Sequence, residues 1–186
     1  MRARAVVASL AILFLSAAAP RPPAAVPKAD QTDLLFDRLA KASDAEAKPI
    51  EDQILTRFLQ SGSPSVDLLM ARAASALSGQ DQGTARTLLD AICKIAPNYA
   101  EVWHQRGRLL AAAGDDEGAI ISLQKAVTLN PRQFAAMAEL GGILIEYGDK
   151  RDALKIFRKA LALDPHMGDV NASVQKLARD VEGEKI

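Results

Sequence analysis

A single cysteine, two histidines, one tryptophan and an aromatic fraction of 4% leave this 186-residue chain short of the groups most chemistry requires. Cys93 is alone, so no internal disulfide forms. Its neighbours Ile92 and Ile95 continue an apolar helical pattern, which makes it a small buried hydrophobe rather than a nucleophile. His104 and His166 stand 62 residues apart and share no motif with Cys93, so no zinc set assembles. Gly141-Gly142 follows no strand and is not a phosphate loop. We therefore expect no catalytic residue, no metal, no cofactor and no small-molecule substrate: the chain is not read as an enzyme. Charge of one sign is lacking too. Lys plus Arg and Asp plus Glu number 23 each, which gives no pull toward nucleic acid or an anionic surface. Scarce aromatics beside plentiful alanine and leucine suit close-packed helices and disfavour a β-sandwich.

The first thirty residues form a distinct unit. Arg2 and Arg4 precede the apolar run Ala5–Leu15, and Ser16-Ala17-Ala18-Ala19 supplies small residues. That pattern is an export signal of residues 1–18, cut after Ala18. The run is too short for a stable bilayer span, and no cysteine near the cut offers a lipid attachment point. Pro20, Pro22, Pro23 and Pro27 make residues 19–29 a disordered tether.

Beyond this point one interval governs the chain. Pro97, Pro131 and Pro165 are 34 residues apart. The same interval links Ala73, Gly107 and Gly141; Asp81, Asp115 and Asp149; Ala85, Ala119 and Ala153; and Leu89, Leu123 and Phe157. Within residues 100–133, Trp103, Gly107 and Leu110 form one helical stripe, and Ala119, Leu123, Ala126 and Leu129 form another. Gly114-Asp115 separates them, glycine closing the first helix and aspartate capping the second. Asn130-Pro131 ends the unit. The small column lets paired helix backbones approach closely. The expected helices are 66–79/82–96, 100–113/116–129 and 134–147/150–163.

Trp103, Gly107, Leu110, Gly114-Asp115, Ala119 and Asn130-Pro131, with Leu140-Gly141, Gly148-Asp149, Ala153, Phe157, Ala160 and Asp164-Pro165, resemble the tetratricopeptide repeat family. The resemblance covers three units, 66–99, 100–133 and 134–167. The first departs from it in carrying Gln80 at the turn glycine. It implies an all-α, right-handed solenoid of helix-turn-helix repeats. Val170, Val174, Leu177, Ala178 and Val181 form the apolar stripe of a capping helix at 168–183. Leu34, Leu35 and Leu39, then Ile50, Ile54, Leu55, Phe58 and Leu59, read as a degenerate helix pair over 30–62 that caps the first repeat.

The same resemblance implies a concave groove lined by the first helix of each unit, which accepts a peptide or helix of a protein partner. Its walls would be Met70 and Leu77, then His104 and Arg108, then Ala138, Gly142 and Ile145, with Asp67, Ala74, Glu101, Ala111 and Ala135 beside them. Met70, Leu77 and Ile145 offer apolar contact, and the small residues leave room for a backbone. His104 and Arg108, one turn apart, are the clustered cations that would hold a partner's carboxylate. Some family members clamp a C-terminal carboxylate with lysines and asparagines. Met70, Ala74, Gln105, Ala135 and Glu139 stand at those places here, so that clamp is absent. Arg38, Arg72 and Arg106 form a further column at the same interval, read either as stems buried with guanidiniums turned to nearby acids or as a stacked cationic ladder that selects an acidic partner. The chain is thus expected to be a periplasmic interaction scaffold. The alternative is a structural protein that uses the groove to associate with its own copies.

Overall fold

The computed structural model describes residues 28–183. Among these residues the chain is all helix: α1 (Lys28–Leu39), α2 (Asp44–Phe58), α3 (Pro64–Ser78), α4 (Gln82–Ile95), α5 (Ala100–Ala112), α6 (Asp116–Leu129), α7 (Phe134–Glu146), α8 (Lys150–Leu163) and α9 (Gly168–Glu182). The expected signal of residues 1–18 lies outside them. The tether assigned to 19–29 lies outside them except at its end, where α1 already begins at Lys28.

From α3 onward each helix packs on its sequence neighbours. The turns repeat as the spacing requires. Gly114 and Gly148 take φ values of +76° and +88°, and Gln80 takes the same left-handed region at +60° without glycine's freedom. The next residue caps the following helix each time. Asp81 accepts from the Thr84 amide at 3.0 Å, Asp115 from Gly118 at 3.0 Å and Asp149 from Asp152 at 3.3 Å.

The small column is tight. A Cβ on Gly107 would lie 2.7 Å from Leu123 Cγ, and one on Gly141 would lie 2.4 Å from Phe157 Cε1. Glycine is thus used where the partner helix presents a large side chain, which no smaller separation accommodates. Trp103 joins the core of the first repeat to that of the other two and donates from Nε1 to the Pro97 carbonyl at 2.9 Å. On α9, Val170 and Leu177 are buried, and Val174, Ala178 and Val181 rest against the same core.

The N-terminal pair departs from its expected place. It does not turn its apolar face to the first repeat. Leu35, Phe36, Leu39, Ala47, Ile50 and Ile54 instead pack with Phe134, and Leu163 and Met167 lie against the same cluster. Phe36 meets the Phe134 ring edge-on, with centroids 6.2 Å apart, and the Arg132 guanidinium sits 4.0 Å over the Phe36 ring. Leu34, expected inside, is 58% exposed, because Phe36 takes the inward position. Polar contacts follow the same edge. Arg132 pairs with Asp33, His166 Nδ1 lies 2.7 Å from Asp44 and its Nε2 3.1 Å from the Leu39 carbonyl, and the Tyr99 hydroxyl donates to the Leu59 carbonyl at 2.7 Å. The pair is a strap across the two inter-repeat turns and the turn into α9 rather than an end cap.

Candidate functional site

The first helices of the three repeats, α3, α5 and α7, border a row of hollows. Between α3 and α5, Asp67, Met70, Ala74 and Leu77 face Gln105, and Leu59 of the linker closes one side around a cavity of about 240 Å³. Its lining is mainly apolar. Between α5 and α7, a second hollow of about 390 Å³ runs past Arg108, Ala111, Asp116, Glu139, Gly142 and Ile143. Gly142 has nothing within 4 Å of where a Cβ would stand, so a partner backbone can come close there.

The expected wall residues are not equivalent in this frame. Leu77 is half-buried at the first hollow, and Met70 is only 7% exposed, so it belongs as much to the core of the first repeat as to the groove. Arg108 is exposed and lies with Gly142 at the second hollow. Ala138 and Ile145 are half-buried against the core of the second and third repeats. Ile143, at the second hollow, was not among the expected wall residues.

His104 departs most from expectation. It is 5% exposed, not on a solvent-facing stripe. Its Nε2 lies 3.1 Å from Glu139 Oε2 and its Nδ1 3.4 Å from Glu101 Oε2. Burial alone would push the imidazolium down. The two carboxylates, bonded one to each ring nitrogen, outweigh it and raise the histidine from 6.5 to about 9. His104 is therefore a cation with both N–H groups donating at neutral pH. Arg108 Nε lies 3.2 Å from Glu139 Oε1. The carboxylate that this cationic pair holds is the chain's own.

The network extends further. Gln105 Nε2 donates to Glu101 Oε1 at 2.6 Å, and fully buried Gln133 donates to Glu101 Oε2. Two acids and two cations thus neutralise one another in the middle of the groove. Gln133 is absent from the expected site, and Glu139 enters it only at a position of the clamp that is not there. The signal was present: Glu101 and His104 are one turn apart, and Gln133 and Glu139 fall within two residues of the repeat interval from them.

The arginine column divides in two. Arg106 Nε donates to Asp90 Oδ1 at 2.8 Å and its Nη1 to Ser122 at 2.7 Å, the paired arrangement expected of it. Arg72 is exposed on α3, and Arg38 is exposed on the strap. There is no continuous ladder. Cys93 is buried, and burial pushes its thiol up to about 11. Among the described residues no group of His, Cys, Asp and Glu has the arrangement of a metal site.

Comparison with known proteins agrees with this geometry. The tetratricopeptide repeat family model matches residues 100–133 and again residues 134–167. A TPR repeat-containing protein of Rhizobium etli is 27% identical over 154 residues, which is 82% of this chain and 76% of that one. Among solved structures, the MamA protein superposes with a TM-score of 0.59 at 17% identity, covering 84% of this chain and 83% of MamA. The type III secretion chaperone SycD of Yersinia enterocolitica, in complex with a peptide of the translocator YopD, gives 0.58 at 14% identity, with 63% of this chain and 95% of SycD covered.

Proposed function

We propose that this chain, whose residues 100–133 and 134–167 match the tetratricopeptide repeat family model, is a non-catalytic interaction module whose groove along α3, α5 and α7 takes a segment of a protein partner. The observation that carries this reading is the row of hollows itself, apolar at Met70, Ala74 and Leu77 and open at Gly142. SycD, of like fold, is known in complex with a peptide. Because Glu101 and Glu139 already neutralise His104 and Arg108, the partner is held through apolar and backbone contacts rather than through a carboxylate clamp. We further propose that residues 1–18 export the chain and that it works in a bacterial periplasm as a scaffold of an envelope or secretion assembly.

A photo-crosslinking residue at exposed Ala74, with the same residue at Lys125 on α6 as control, tests the site in living cells. A partner segment captured from position 74 and not from 125 supports the groove; equal capture from both removes it. Cell fractionation with N-terminal sequencing tests export, with periplasmic protein beginning at Ala19 as the expected result and cytoplasmic protein retaining residues 1–18 as the contrary one.

A further inference from the structure

Among the described residues, one face of the solenoid lacks the neighbour that its own repeats define. Leu68, Val102 and Ala136 occupy the same place in successive repeats. Val102 and Ala136 are 0% exposed, each on a helix that packs against the second helix of the preceding repeat, whereas Leu68 is 55% exposed. Arg72 and Arg106 are likewise equivalent. Arg106 reaches back across the repeat boundary to Asp90 of α4. Arg72 is exposed and has no such acid among the described residues. Leu68 and Arg72 are four residues apart, so they share one stripe of α3, turned away from the groove positions Met70, Ala74 and Leu77. The strap could have supplied the missing helix, but its apolar face is committed to Phe134, Leu163 and Met167.

We propose that this end of α3 docks an amphipathic helix of a protein partner, which covers Leu68 with an apolar side chain and presents a carboxylate to Arg72. The charge of Arg72 and the pattern of the α4–α5 boundary define that occupant. It lies as α4 lies on α5 and makes the ion pair that Asp90 makes with Arg106. This surface is distinct from the groove and does not depend on the groove's being a binding site.

The test uses a helix-stabilised peptide with the sequence of residues 82–99 as the probe, since it carries the α4 face with Asp90. Fluorescence anisotropy with the purified protein should give saturable binding. Arg72→Glu should weaken it at least tenfold, and the same loss should follow Asp90→Lys in the peptide. Combining the two substitutions should restore most of the affinity, because the pair is then inverted rather than lost. Gly142→Trp in the groove should leave it unchanged. Neither Leu68 nor Arg72 is buried, so variants there keep their fold, which circular dichroism checks. Absence of binding at millimolar peptide, or binding indifferent to the charge at position 72, overturns the proposal. So does self-association of the protein that Leu68→Asp abolishes, because the occupant would then be a second copy.

Discussion

Glu139, on the third repeat, holds His104 of the second: Oε2 and Nε2 are 3.1 Å apart, with the histidine 5% exposed. The contact ties two repeats by a buried charge whose value depends on pH. The folded histidine titrates at about 9 against 6.5 in the unfolded chain. Its stabilisation is therefore complete below about pH 6.5 and lost as pH rises through about 9. A gap of that size corresponds to about 3 kcal/mol. His104→Gln should thus cost about that much at pH 6 and much less at pH 10, read from urea unfolding of both proteins across the range. A constant difference would mean that the imidazole is not charged in the fold.

The glycine column sets a second expectation. Gly107 faces Leu123 and Gly141 faces Phe157, with room for no added carbon. Gly107→Leu should lower stability by at least about 1–3 kcal/mol, and Gly141→Ala by an amount in the same range. Gly142→Ala, one residue along, meets open space and should be neutral or slightly stabilising, because alanine is the better helix former. Thermal melts of the three variants decide this; equal losses at 141 and 142 would contradict the packing described.

At Gln80 the chain holds a side chain in the left-handed region, at φ +60°, where the later repeats have glycine. Gln80→Gly should raise stability by about 0.5–1 kcal/mol, since relief of that conformation exceeds the entropy glycine adds to the unfolded chain. A thermal midpoint that falls instead would show that the turn gains from the glutamine side chain.

The strap gives a local rather than a global signal. Phe36→Ala removes the edge-on contact with Phe134 and should cost about 3 kcal/mol of docking energy. Amide exchange should then accelerate through residues 31–58 while α5 to α8 keep their protection. Uniform acceleration across the chain would mean that the strap and the repeats unfold as one unit.

Much of the repeat array was legible in the sequence because a 34-residue interval is a packing statement. Asp115 caps α6, Gly114 turns left-handed and Gly107 meets a large neighbour, as their spacing demands. Relations that leave the interval were not legible. Leu34 and Phe36 are both apolar, and only the position of Phe134, about a hundred residues on, selects Phe36 for the interior. In the groove, sequence alone leaves the charges of His104 and Arg108 open, because the acid they share, Glu139, lies on another repeat, where sequence distance hides it. Arg106 was placed correctly with an acid, whereas its equivalent Arg72 shows that the same residue type at the same register can be paired in one repeat and exposed in the next.

Binding of the partner segment captured from position 74, titrated calorimetrically into the protein and its Gly142→Trp variant, tests the groove most directly. Tryptophan at 142 enters open space, so the fold should persist while the second hollow is filled. The predicted result is affinity at least tenfold weaker, or about 1.4 kcal/mol, with an unchanged melting curve. Equal affinity for the two proteins would contradict the account and place recognition away from α3, α5 and α7.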